Sequence, residues 1–237
     1  MSSYSDTISQ ISNQPVFGVA LTLGAFLVAR RFHSRHRSPL THPLLTSSIA
    51  IIVLLKILGV DYAAYNRGGQ LISFLLGPAT VALAIPLHRQ SPRIRRQRLL
   101  ISCSCAAGAV AAMLVASMVV KLISGDTRLV LSMIPKSVTT PIAMEISRII
   151  GGVPALSSVF VVLTGLLGAM FGPELLAVFN ITSPQAVGLA LGTAAHGIGT
   201  GRALQEGEQV GAYSGLAMGL AGLIVTLLAP MVAALLV

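Results

Sequence analysis

The sequence has no tryptophan, two cysteines and little charge, with Asp, Glu, Lys and Arg together making up 10% of its 237 residues. Soluble domains carry about 25% charged residues, so a chain this poor in charge cannot present a fully solvated surface. Two cysteines exclude a disulfide scaffold. The abundance of Leu, Ile and Val excludes a disordered or collagen-like chain. Catalytic signatures are also missing: there is no H-E-x-x-H and no G-x-S-x-G, and acidic residues are scarce inside the apolar runs. The sequence therefore predicts no enzyme, no metal ligand set and no cofactor.

What the chain does have is apolar length. Hydrophobic residues make up 54% of it, and its mean hydropathy is +0.84. A helix needs about 20 apolar residues to cross a bilayer. The runs at 15–32, 44–60, 71–88, 99–122, 127–150, 151–172, 175–204 and 209–237 predict an all-α polytopic membrane protein of about eight transmembrane elements. Residues 1–14 read as a short polar tail and 15–237 as one transmembrane domain, with 61–70 as a loop carrying Tyr62, Tyr65, Arg67 and a Gly-Gly pair.

The net charge is +9, from 16 basic and 7 acidic residues. Nine of the basic residues fall in two stretches, Arg30, Arg31, Arg35 and Arg37, then Arg89, Arg93, Arg95, Arg96 and Arg98. Both stretches follow hydrophobic runs, so they read as loops held in the cytoplasm by the positive-inside rule. Lipid is thus the expected partner, nucleic acid is not, and the expected location is the cytoplasmic (inner) membrane. No basic residue precedes the first run, which fits an uncleaved first span with its N-terminus outside. Cys103 and Cys105 sit inside an apolar run and read as small packing residues.

Three runs are interrupted: at Gly77 and Pro78, at Pro135 through Pro141, and through the glycine-rich segment from His196 to Gly201. A proline inside a helix removes a hydrogen bond and clashes with the preceding turn. In lipid the freed backbone groups survive only where protein or a watery cavity satisfies them. A single interruption reads as an ordinary kink. Three of them, each beside polar side chains, predict the discontinuous helices from which secondary transporters build substrate sites. Half-helix N-termini suit a carboxylate.

The densest polar group is Lys136-Ser137-Val138-Thr139-Thr140-Pro141, with Glu145 one turn on. Pro141 predicts a helix start that Thr139 or Thr140 caps. The expected substrate contacts are Thr80, Ser137, Thr139, Thr140, His196, Gly197, Gly199 and Thr200, with Glu145 or His196 as the proton carrier. Plainer alternatives stay open: Glu145 and Arg148 in the headgroups, His196 as a core residue, and Arg202 as a topology charge or a partner of Glu206, Glu145 or an anion. The Gly-x-Gly-x-Gly string at 197–201 follows no strand, so it is not a dinucleotide loop.

The segments LLGPATVALAIPL (75–87), KSVTTPIAMEISRIIGG (136–152) and AAHGIGTGRALQEGEQVGAYSGLAMGL (194–220) resemble the LrgB/CidB family of bacterial membrane proteins. The resemblance covers nearly the whole chain from about residue 15. Ala195 stands where the family's usual segment has serine, so no hydroxyl is offered there, and Gly201 is a second small departure. Membership implies antiholin-like or holin-like modulation of murein hydrolase activity and lysis, with an LrgA/CidA-type membrane partner. Other members resemble carriers of pyruvate, glycolate or glycerate, and the family is grouped with antiporter folds that have crossed broken helices. The plastid members fuse two family parts, of which this chain would be the LrgB-like one. The reading favoured here is a proton-coupled carrier of small monocarboxylates, with lysis control as the alternative. Small residues at 215–222 would pack helices closely within the chain or between copies of it in a homo-oligomer.

Overall fold

The computed structural model describes residues 10–36 and 41–237, apart from the side chains of Leu76 and Thr80. Residues 1–9 of the polar tail and Arg37 of the first basic cluster lie outside the described residues. Among those described there is no strand. Five helical stretches, Pro15–His36, Tyr62–Arg89, Arg98–Ser124, Pro154–Val178 and Glu208–Leu236, are long and apolar enough to cross a membrane. The chain is an all-α polytopic membrane protein. It groups into two compact units, up to Ala82 and from Leu83 onward.

The first unit holds α1 (Pro15–His36), α2 (Pro43–Leu58), α3 (Tyr62–Phe74) and α4 (Leu76–Ala82). α2 starts on Pro43 and ends at Gly59, whose φ of 64° lets its N–H reach back to the carbonyls of Leu55 and Lys56. The predicted loop at 61–70 is instead the first part of α3. Asp61 caps it by accepting from the Ala63 N–H at 3.3 Å. The glycines taken for loop residues serve packing: a Cβ on Gly68 would lie 2.7 Å from the Gly18 Cα. α1 and α3 touch backbone to backbone there, and Thr22 and Tyr65 hydrogen-bond at 2.8 Å nearby. Pro78 stands in the first turn of α4, where a missing N–H breaks nothing. The interruptions fall at Leu75 and Leu83, just ahead of the turns that contain Pro78 and Pro86.

The second unit holds α5 (Ala84–Arg89), α6 (Ser91–Arg96), α7 (Arg98–Ser124), α8 (Thr127–Met133), α9 (Thr140–Ile150), α10 (Pro154–Val178), α11 (Pro184–Glu206) and α12 (Glu208–Leu236). α7 buries Ile101, Cys105, Ala109, Met113 and Ser117. α10 buries Ser157, Val161, Gly165, Ala169 and Met170. An every-fourth-residue stripe of mostly small side chains is the pattern of a helix packed on one side and facing lipid on the rest. α12 is the most buried of the long helices, and its Ala221, Val225 and Ala229 join Met113, Val130, Ile134, Val138 and Val161 in the main core.

α11 and α12 pack most closely at Gly188 and Gly192. A Cβ on Gly188 would lie 2.9 Å from the Tyr213 Cβ, and one on Gly192 2.9 Å from the Ala217 Cβ. The glycines of 215–222 are less confined: Gly219 has open space, and Gly215 and Gly222 meet only side-chain ends at 3.6 and 3.8 Å. Within 215–222 it is Ala217, not a glycine, that takes part in the close contact, against Gly192 of α11.

Candidate functional site

The element read as one run at 127–150 is two helices with a buried turn between them. Asp126 starts α8 by accepting from the Arg128 and Leu129 N–H groups at 2.7 and 3.2 Å. After Met133 the chain makes two short turns, Lys136 N–H to the Met133 carbonyl and Val138 N–H to the Pro135 carbonyl. Ile134, Pro135, Ser137 and Val138 are all buried, so non-helical backbone lies inside the protein, where its polar groups can be satisfied. Ser132 anchors the turn: its Oγ accepts from the Val153 N–H, and its carbonyl accepts from the Ser157 hydroxyl, both at 2.8 Å. α9 then begins at Thr140 with Pro141 in its first turn.

Thr139 occupies the N-cap position as expected, but its side chain makes no capping hydrogen bond. Thr139 and Thr140 are both half-buried at this helix start. Glu145 does not join them. It lies on the exposed flank of α9 and pairs with Arg148 at 2.8 Å. Arg202 is taken by Glu206 at 2.6 Å, and Cys105 is buried in helix packing, within 3.7 Å of the Thr193 hydroxyl.

α11 is broken at one residue. His196 has φ 43° and ψ −133°, a backbone conformation that L-residues rarely adopt, between two helical halves. The Thr200 hydroxyl donates to the His196 carbonyl at 2.9 Å. Thr200 has only one hydroxyl proton, so the Ser214 hydroxyl donates in turn to Thr200, also at 2.9 Å. These groups are buried and tie the kink to α12.

The His196 ring crosses to α10. Its Nε2 donates to the Val161 carbonyl at 3.0 Å, since a carbonyl can only accept. A Cβ on Gly165 would lie 2.7 Å from the ring's Cε1, so glycine is what lets the ring lie there. Val161 and Gly165 sit roughly 10 and 16 Å past Pro154 in a 25-residue helix roughly 37 Å long. The break therefore lies near the middle of a spanning helix.

Both breaks border the main core, to which Val138 of the turn and Val161, whose carbonyl holds the His196 ring, belong. Lys136 is half-buried, and its one described hydrogen bond goes to the neighbouring Ser137 hydroxyl at 3.5 Å. A lysine near a bilayer centre costs about 2.5–3.5 kcal/mol on insertion scales. Sequence reasoning noted Lys136 only as part of a polar string. The supporting hydroxyl of Ser214 is a fact of the fold that the sequence did not show.

The predicted site residues thus divide. Ser137, His196, Gly199 and Thr200 are buried, and Lys136, next to Ser137, is half-buried. Gly197 is exposed. Gly77, Pro78 and Thr80 belong to α4 in the first unit, and the Thr80 side chain is outside the described atoms. Among the described residues, no group of His, Cys, Asp and Glu is placed to hold a metal ion.

Residues 22–235 match the model of the LrgB-like family. The uncharacterized protein YwbG of Bacillus subtilis is 38% identical over 91% of this chain and 96% of its own length. The antiholin-like protein LrgB of Bacillus cereus is 35% identical over 92% of this chain and 95% of its own length. No solved structure matches. A match over most of both lengths makes this chain a member of the LrgB family.

Proposed function

We propose that this chain is an antiholin-like protein of the cytoplasmic membrane, one that modulates murein hydrolase activity and lysis with an LrgA/CidA-type membrane partner. The observation that carries this reading is the kinship with antiholin-like relatives across nine-tenths of the chain. The basic segments at 30–37 and 89–98, read from the sequence as loops but helical over 30–36 and 91–96, face the cytoplasm in this proposal. The test is expression in a Bacillus strain deleted for its own LrgB homologues, read by lysis rate and murein hydrolase zymograms. Both readouts rise on deletion and return towards the parental level when the chain is supplied. Unchanged lysis on expression overturns the reading.

One observation favours a second reading, carriage of a small monocarboxylate of the pyruvate, glycolate or glycerate class with a proton. It is the mid-helix break at His196, with its buried hydroxyl network. A protein acting only through helix packing has no use for polar groups at that depth. In this reading Ser137, Thr139 and Thr140 donate hydrogen bonds, while Thr200 holds the His196 carbonyl in place. Gly197 and Gly199 let the substrate approach the backbone. His196 carries the proton in preference to Glu145, whose arginine partner sits on an exposed flank. In proteoliposomes, labelled pyruvate, glycolate or glycerate enters with the wild type. Thr140→Ala slows uptake and Glu145→Gln leaves it unchanged. No uptake of any of the three removes the carrier reading.

A further inference from the structure

Five arginines stand between residues 89 and 98, and the fold pins the helix that carries three of them. Ile94 of α6 packs on a cluster formed by Ile101 and Cys105 of α7 with Tyr213 and Ala217 of α12. A helix makes one turn in about 3.6 residues, so with Ile94 facing inward the side chains of Arg93, Arg95 and Arg96 spread over the outer arc. All three are exposed. The acids nearby are already taken: Glu208 pairs with Arg89, and Glu206 with Arg202. Arg93, Arg95, Arg96 and Arg98 enter no ion pair among the described residues.

α7 adds to the imbalance. Its first residue is Arg98, its first turn holds no acidic residue, and Gln97 at its N-cap makes no side-chain capping hydrogen bond. A helix N-terminus carries about half a positive elementary charge, which an anionic group normally offsets. Here cations crowd it instead. Leu99 and Leu100 follow at once and are exposed, so guanidiniums and bare leucines adjoin at the start of a helix long enough to span a bilayer. The positive-inside rule asks only which side the arginines take. It does not call for a helix clamped where hydrocarbon meets headgroups.

We infer that α6 and the first turn of α7 form a docking site for an anionic phospholipid of the cytoplasmic leaflet, its phosphate held among the four arginines and its acyl chains along Leu99 and Leu100. The inference goes beyond both functional readings and depends on neither. The occupant follows from the chemistry. A guanidinium presents paired N–H donors that match phosphate oxygens two at a time. A cluster of about four or more cations just cytoplasmic of a spanning helix attracts anionic headgroups. A soluble anion or an acidic peptide would answer the charge and leave the leucines bare. One molecule with an anionic head and hydrocarbon tails answers both.

The test uses the purified full chain in detergent micelles, with bound lipid counted by native mass spectrometry. The probes are phosphatidylglycerol, phosphatidylcholine with the same chains, and glycerol phosphate, which has the head without the tails. The wild type retains phosphatidylglycerol at concentrations about tenfold or more below those needed for phosphatidylcholine. Replacing Arg93, Arg95 and Arg96 together by Gln raises the half-saturating phosphatidylglycerol concentration about tenfold or more. Replacing Arg30, Arg31 and Arg35 by Gln removes the same charge from the end of α1 and changes it less than about threefold. All six side chains are exposed, and thermal unfolding followed by light scattering checks that both triple variants fold. A further arm needs no variant: excess glycerol phosphate does not displace phosphatidylglycerol from the wild type. Equal losses in the two triple variants, or no preference of the wild type for phosphatidylglycerol over phosphatidylcholine, overturn the inference. Displacement by glycerol phosphate, or by a polyglutamate peptide, would make the patch a site for soluble anions and overturns it as well.

Discussion

At the scale of single residues, His196 combines two demands that rarely coincide. Its backbone sits at φ 43°, where glycine is at ease and a side chain with a Cβ is strained by about 1–3 kcal/mol. Its ring meanwhile binds the Val161 carbonyl and lies on Gly165. Function rather than stability explains a histidine there, and a pair of variants separates the two. His196→Gly and His196→Ala both remove the ring, yet only the alanine keeps the strain. His196→Gly therefore unfolds at a higher temperature than His196→Ala, by the equivalent of about 1 kcal/mol or more. In an ordinary helix interior the order is reversed, with alanine ahead by about 1 kcal/mol. Thermal unfolding of the two variants in detergent checks it, and alanine proving the more stable would mean that the break does not form at His196. Glu145 illustrates the opposite case. A carboxylate within an apolar run looks buried in the sequence, but its side chain is 55% exposed beside Arg148. The i, i+3 spacing of the two was the available signal that they satisfy each other.

At the scale of elements, the contrast lies between glycines that bring helices together and glycines that touch nothing. A Cβ on Gly192 would collide with the Ser214 backbone of α12, whereas one on Gly219 meets nothing within 4 Å. Gly192→Ala consequently destabilises the chain by about 1–3 kcal/mol, the usual cost of overpacking a tight contact. Gly219→Ala is neutral within about 0.5 kcal/mol or mildly stabilising. Unfolding midpoints of the two single variants test the difference, and equal effects would mean that α11 and α12 do not meet at residues 188–192. The breaks at 135–141 and near 196 were legible in the sequence, because proline and clustered glycine announce a local backbone problem wherever the helix lies. The face on which a glycine packs was not legible, since it depends on a partner helix that periodicity does not name. The same limit hid α3: the Gly68-Gly69 pair looks like a turn until Gly68 is seen to give Gly18 of α1 the space it needs.

At the scale of the whole molecule, the number of crossings decides which groups share a side of the membrane, and α2 is the element on which that number turns. Its 16 residues span roughly 24 Å, short of a hydrocarbon core of about 30 Å. The stretch Tyr62–Arg89 has ample length. If both cross, the basic segments at 30–37 and 89–98 lie on one side, as the positive-inside rule asks. If α2 only enters and returns, they lie on opposite sides, and one arginine cluster faces outward against that rule. The charge pattern favours crossing: five arginines at 89–98 outweigh a shortfall of about 6 Å, which costs only fractions of a kcal/mol per Å through local thinning of the bilayer. In a Cys103→Ser background, with Cys105 buried and out of reach, Ser34→Cys and Gln97→Cys then react with a membrane-impermeant maleimide only after the cells are opened. Ser124→Cys, one span beyond Gln97 at the end of α7, reacts in intact cells. Labelling of Ser34→Cys and Gln97→Cys from opposite sides would make α2 a re-entrant helix and would reverse the sidedness of everything on one side of it.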